Sequence, residues 1–425
     1  MPIDNRLGEP RDRGRRNTLK VLGGGAIAAL TAVGESGNTV AQVAPARPRV
    51  VMDGHVHIAT RVHWEQIDPW KPLGAWWDYA RARAAGVNCV IDCLGTYGYW
   101  NYNQAPKHTL RLMETFHRVA EANADKMGIA LNAADARRII ASDRMAVFMG
   151  IESGWDHDGD IDVLRAMHRL GLRHIQFSSQ TPFNALADAA AGTDKHWNGL
   201  SPRGRTMIKE ANRLGILIDI VHASEAAQAA MVAASDAPVV DSHHALAAVT
   251  GGAGLPERLL ESLAAKGGLI GIHGAANTVG KRYMKWATDH PDRYRELARP
   301  LTDVTGYAPS FERPPGDYGD WATRMDAETR QRYIASFAPW NDDPEAEALV
   351  PTADEWAEQV AHVIKTVGPD HVGIGLDLVG GRNAVPKDAS GYPALFAAIN
   401  RITTPANATK VIGENWLRVI ENVMS

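Results

Sequence analysis

The sequence predicts a parallel (β/α)8 barrel, and three observations carry that expectation. Short β-rich runs alternate with helical stretches from about residue 50 to the carboxyl end. Eight such runs can be counted, and they are apolar throughout, as strands covered on both faces are. Several end in a side chain that can bind a metal or carry a proton, and in a barrel the strand ends converge on one mouth.

At 425 residues and 45% hydrophobic, the chain can bury a large core. The formal net charge is -4. Residues 1–45 hold six Lys/Arg against four Asp/Glu, a surplus of two, so the remainder carries about -6. No basic stripe is present, which argues against a nucleic-acid partner. The amino terminus reads as an export signal: Arg15-Arg16-Asn17-Thr18-Leu19-Lys20 precedes a Gly/Ala-rich apolar run from Val21 to Val33, with small residues near Ala41 and Ala44. Residues 1–45 are therefore expected to be a twin-arginine-type signal and linker, and residues 46–425 the catalytic barrel. That run is too short and glycine-rich to span a bilayer, so no stable membrane anchor is expected and the protein should be periplasmic or secreted.

The expected strands run from Val50 to His55, Val87 to Leu94, Met145 to Glu152, Arg173 to Phe177, Ile216 to His222, Pro238 to His243, Gly268 to His273 and His371 to Asp377. Helical spacing appears between them, as in Asp162 to Leu170 and Gly204 to Leu214. The two cysteines, Cys89 and Cys93, share the second strand roughly 13 Å apart, too far for a disulfide, and are expected to be buried filler. From Val279 to Pro351 the rhythm breaks: eight prolines, many charges and little periodicity follow the seventh strand. This stretch, 279–351, is expected to be a lid or wall on the active face. It ends at Thr352-Ala353-Asp354-Glu355, a capping box opening a helix to about Val367.

The polar residues at the strand ends carry the chemistry. His55 and His57 form His-x-His at the end of the first strand, where residues two apart point to one side. Glu152, His222, His243 and Asp377 end four others. Each alone could be a hydrogen-bonded core residue. Together they form a nitrogen and carboxylate set without thiolate, which suits zinc or a similar divalent ion, and a carboxylate can bridge two.

The chain resembles the membrane (renal) dipeptidase family of the amidohydrolase superfamily. The matching stretches are Asp53-Gly54-His55, Gly150-Ile151-Glu152, Gly199 to Arg205, Asn212 to Ile216, Asp219 to Ser224, Asp241-Ser242-His243, Asp370 to Asp377 and Gly413 to Val419. The resemblance implies a two-zinc hydrolase cleaving a dipeptide-like substrate through a metal-bridging hydroxide. His55 and His57 would bind one ion, His222 and His243 the other, and Glu152 would bridge. Asp377 would stand beside the hydroxide, take its proton and pass it to the leaving amine.

Departures from the family qualify that picture. His57 stands where the family usually has aspartate, which raises the site's net positive charge. Ser179 stands where a family histidine contacts the substrate carbonyl, and Thr250 to Leu255 offers no clear match to the family's carboxylate-binding arginine. His273 and Arg382 are candidate replacements. Aromatics crowd the first two loops, Trp77 and Tyr97 among them, and suggest a bulky or apolar substrate. A non-peptide amide or lactone substrate, or a decarboxylation, therefore stays open beside peptide cleavage; a non-catalytic periplasmic binding protein is the remaining alternative. The expected partner is a small molecule, and the sequence leaves the oligomeric state open, a homodimer being one option.

Overall fold

The computed structural model describes residues 49–72, 77–95, 105–152, 159–178, 185–190, 196–294, 326–328, 344–378 and 383–425. All of them lie in the compact unit Arg47–Ser425.

Nine strands occur among these residues: β1 (Met52–Val56), β2 (Cys89–Gly95), β3 (Met127–Ile129), β4 (Met145–Glu152), β5 (Leu172–Gln176), β6 (Leu217–Asp219), β7 (Val239–His244), β8 (Leu269–Ile272) and β9 (Val372–Ile374). Every pairing is parallel. Eight of them close a ring, with β1 joined to β2 on one side and β9 on the other, and β2 joined to β4. The expected (β/α)8 barrel is the fold. The unexpected β3 pairs with Met145–Val147 on β4, below the stretch Met149–Ile151 that pairs with β5. Three residues are too few to register as a pattern in the sequence.

Strand parity divides the core. Val90, Leu94, Val147, Met149, Ile218 and Ile270 pack outward with the helices. Their neighbours Cys89, Ile91, Cys93, Ala146, Phe148, Leu217 and Val240 pack together on the other face, in the lumen. Trp416 joins this inner cluster, and its Nε1 donates to the Ile374 carbonyl at 2.9 Å. Gly54 and Gly373 are glycines because a Cβ at either would run into the Trp416 ring. A large indole thus fills the lumen below the β1 and β9 ends, a site where truncation to alanine typically costs 3–5 kcal/mol.

Helix boundaries follow local chemistry. Ser201 caps the helix Pro202–Leu214 through the Gly204 N–H, and Gly215, at φ 69°, ends it. Thr352 and Glu355 form the expected capping box on the helix Ala353–Val367. Of the stretch 279–351, the described parts include the helices Lys281–Asp289 and Pro344–Glu347. Tyr283, Trp286 and Ala346 pack with Ala276 in a small cluster separate from the barrel core.

Candidate metal centre

Six side chains from five strand ends meet at the mouth of the barrel. His55 lies on β1 beside a register shift between Asp53 and Val56, and His57 follows the strand directly. Glu152 is the last residue of β4, and His243 lies near the end of β7. The sequence predicts strands running to His222 and Asp377, but β6 ends at Asp219 and β9 at Ile374, so both residues stand beyond the regular pairing. Both have left-handed backbones, φ 62° and 48°, a costly conformation for non-glycine residues that clusters at functional sites. Regular pairing stops at Asp219 and Ile374 because these turns swing the two side chains over the mouth.

Glu152 divides the histidines into two pairs. Its Oε2 lies 2.7 Å from His57 Nε2 and 3.2 Å from His55 Nε2. Its Oε1 lies 2.7 Å from His222 Nε2 and 3.9 Å from His243 Nε2. Within each pair the Nε2 atoms are close, 2.9 Å for His55 and His57 and 3.0 Å for His222 and His243. Asp377 completes the ring, with Oδ1 3.3 Å from His57 Nε2 and Oδ2 3.9 Å from His243 Nε2. Among the described residues three triplets are spaced to hold an ion: His55, His57 and Asp377; Glu152, His222 and His243; and His55, His243 and the fully buried Asp219.

The far nitrogens explain why the near ones face inward. His57 Nδ1 is 2.5 Å from the Cys93 carbonyl, which can only accept, so that nitrogen carries a proton. His55 Nδ1 faces Ser242 Oγ at 3.1 Å and Cys93 Sγ at 3.3 Å, and His243 Nδ1 faces Ser242 Oγ at 2.8 Å. Such partners orient the rings so that Nε2 is the nitrogen turned toward the mouth. Two lone pairs 2.9 Å apart repel unless a cation lies between them. Asp377 Oδ1, buried, accepts no hydrogen bond among the described residues. The donor set therefore fits divalent ions.

The electrostatics agree. Burial opposes charge on Glu152 and Asp377, but the surrounding histidines outweigh it and hold both carboxyls well below their usual range. Burial likewise opposes charge on His57, but Glu152 and Asp377 more than offset it and raise the imidazole to about 10. Burial pushes His243 well below its ordinary value, and His55 is also lowered.

Beneath the mouth lies a supporting layer that the sequence did not single out. His174 Nε2 and Asp219 Oδ2 are 3.1 Å apart, both fully buried, and Asp219 Oδ1 accepts the Ser242 N–H at 3.0 Å. Cys93 belongs to this layer, so it is more than filler; Cys89 is buried and free, as expected. Asp53 accepts N–H bonds from His55 at 3.0 Å and Leu376 at 3.1 Å, and the Tyr392 hydroxyl also donates to it. Burial still lifts its carboxyl to about 6.

Among the other expected substrate contacts, His273 stands beside the centre. Its Nδ1 accepts the Ala275 N–H at 2.9 Å, which places the ring proton on Nε2, 3.4 Å from Asp377 Oδ2. Trp77 is corrected: it is 1% exposed, and its Nε1 donates to Tyr392 at 2.6 Å. It buttresses Asp53 from within the core and offers no surface to a substrate. Ser179, Arg382 and Tyr97 lie outside the described residues.

Residues 45–425 match the family described as membrane dipeptidase (Peptidase family M19). The chain belongs to the membrane dipeptidase family. It is a metal-dependent hydrolase of the dipeptidase type. It is 28% identical over 394 residues to dipeptidase tcpJ of Claviceps purpurea (strain 20.1), covering 87% of this chain and 76% of that one. With dipeptidase verJ of Clonostachys rogersoniana it is 27% identical over 319 residues, 74% of this chain and 65% of the relative. Two solved structures share the fold. The probable dipeptidase PvdM from Pseudomonas aeruginosa superposes with a TM-score of 0.66 at 20% identity, covering 88% of this chain and 96% of that one. A Rhodobacter sphaeroides metallo peptidase liganded with a phosphinate mimic of the dipeptide L-Ala-D-Ala gives 0.63 at 20% identity, covering 88% and 99%.

Proposed function

We propose that this enzyme is an exported hydrolase that holds two divalent ions, zinc first among them, and cleaves the amide bond of a small dipeptide-like substrate. The observation that carries the two-ion reading is the way the two oxygens of Glu152 address separate histidine pairs. His55 and His57 would hold one ion, His222 and His243 the other, with Glu152 between and Asp377 facing both. Two ions there would lower the pKa of a shared water and polarise the scissile carbonyl. Asp377 would accept the attacking water's proton and return it to the leaving amine, held in orientation by the His273 Nε2–H. The dipeptide mimic bound by the Rhodobacter relative supports the substrate class.

A second reading, a non-peptide amide or lactone, is favoured by two departures from the family, His57 and Ser179. The twin-arginine pattern of residues 15–33 supports export, and among the described residues no helix is long and apolar enough to cross a membrane.

The test is metal analysis of the purified protein with a substrate panel of dipeptides, N-acyl amino acids and lactones. About two ions per chain and preferred dipeptide turnover are expected. Glu152→Gln should abolish turnover and release metal. A metal-free wild type sinks the reading, and full activity in the Glu152 variant removes that residue from the bridge.

A further inference from the structure

The two ion positions are not independent in the supporting layer: one hydroxyl lies behind a histidine of each. Ser242 Oγ is 3.1 Å from His55 Nδ1 and 2.8 Å from His243 Nδ1. Those two histidines belong to different pairs around Glu152. A serine hydroxyl has two acceptor lone pairs, so it can take an N–H from both rings at once. Each ring is then fixed with its Nε2 lone pair toward the mouth.

The backbone is built to bring this hydroxyl there. In a regular strand Ser242 and His243 point to opposite faces. The β7–β8 register shifts between Asp241 and His244, where three residues on β7 span two on β8. Such a bulge re-aims side chains, and it lets Ser242 Oγ meet the ring of its own neighbour. The bulge also pushes the Ser242 carbonyl against β8 and the residues after β9. Gly271 and Gly375 stand there, and a Cβ on either would run into that oxygen. The Ser242 N–H is held by the buried Asp219 carboxylate at 3.0 Å.

We infer that Ser242 is a positioning residue shared by both ion sites, fixing the tautomers of His55 and His243 together; the inference rests on the two-ion reading above. The two rings are not equally dependent on it. His55 Nδ1 has a second partner in Cys93 Sγ at 3.3 Å, a weak acceptor, whereas Ser242 is the one partner of His243 Nδ1 among the described residues. Removing the hydroxyl should therefore loosen the His222–His243 ion more than the His55–His57 ion.

The experiment is a chelator titration of the full-length protein loaded with Zn2+ alone, comparing wild type, Ser242→Ala and Ser242→Cys. The cysteine variant keeps the side chain's shape but accepts poorly, and covers the case in which the alanine variant does not fold. Circular dichroism of the metal-free proteins checks folding. For a residue that holds ligand histidines from behind, a 10–100-fold loss of affinity is expected at the His222–His243 ion and a smaller loss at the other, leaving about one Zn2+ per chain where wild type keeps two. Wild-type affinity at both ions in both variants overturns the inference, and so does a loss confined to one ion with the other at wild-type affinity, since Ser242 would then serve a single histidine. A wild type that takes up no Zn2+ brings down the two-ion reading itself, an outcome distinct from either.

Discussion

His57 stands where the resemblance to the family implies an aspartate, and its surroundings say what a histidine does there. The ring has Nδ1 tied to the Cys93 carbonyl and Nε2 2.7 Å from Glu152. A ligand role predicts that His57→Ala loses about one ion per chain by elemental analysis; unchanged metal content would leave it only a supporting role. The pH dependence follows from the charge. Glu152 and Asp377 raise His57 to about 10 when no ion is present, so at neutral pH its ring is protonated. A ligand nitrogen must lose that proton. Metal uptake should therefore release at least one proton per chain, and affinity should rise with pH up to about 10. Calorimetry in buffers of different ionisation enthalpy measures the proton, and a release of zero contradicts the assignment.

At the level of the elements, the site depends on irregularities in the strands. Register shifts occur beside His55 on β1 and beside His243 on β7, and left-handed turns follow β6 and β9. Each converts an alternating strand into one that presents a chosen side chain upward. Beneath them the lumen has to be filled without crowding, which is why Gly54 and Gly373 face Trp416. Gly54→Ala should force the indole aside and lower stability by about 2–3 kcal/mol, read as a shift of the urea midpoint with tryptophan fluorescence. A midpoint equal to wild type would mean Trp416 does not fill that space.

For the whole molecule, the described fold lies within Arg47–Ser425, and its last element, the helix Asn415–Val423, supplies the tryptophan that fills the lumen. A protein starting at Arg47 should therefore fold, melt within about 2 °C of the full chain and bind the same number of ions. A large loss of melting temperature on removing residues 1–46 would show that those residues contribute to the stability of the barrel. The carboxyl end should not tolerate the same treatment, since removing Trp416 takes out a fully buried side chain.

What could be read directly from the sequence was the barrel, its strand count around the ring, and the six residues at its mouth. Parallel barrel strands are apolar throughout, so His55, Glu152, His222, His243 and Asp377 stand out against them, and topology sends all their ends to one place. Ser242 and Cys93 carried no such signal, because serine and cysteine are ordinary in a buried strand and their role arises from a bulge that no periodicity announces. Trp77 was misplaced for the converse reason: in a run of aromatics, nothing local separates a ring at the rim from one hydrogen-bonded to Tyr392 from the far end of the chain. Residue type and spacing determined which side chains reach the mouth of the barrel. Only the tertiary structure decided which nitrogen each presents and what lies behind it, since a tautomer is set by partners brought in from other strands.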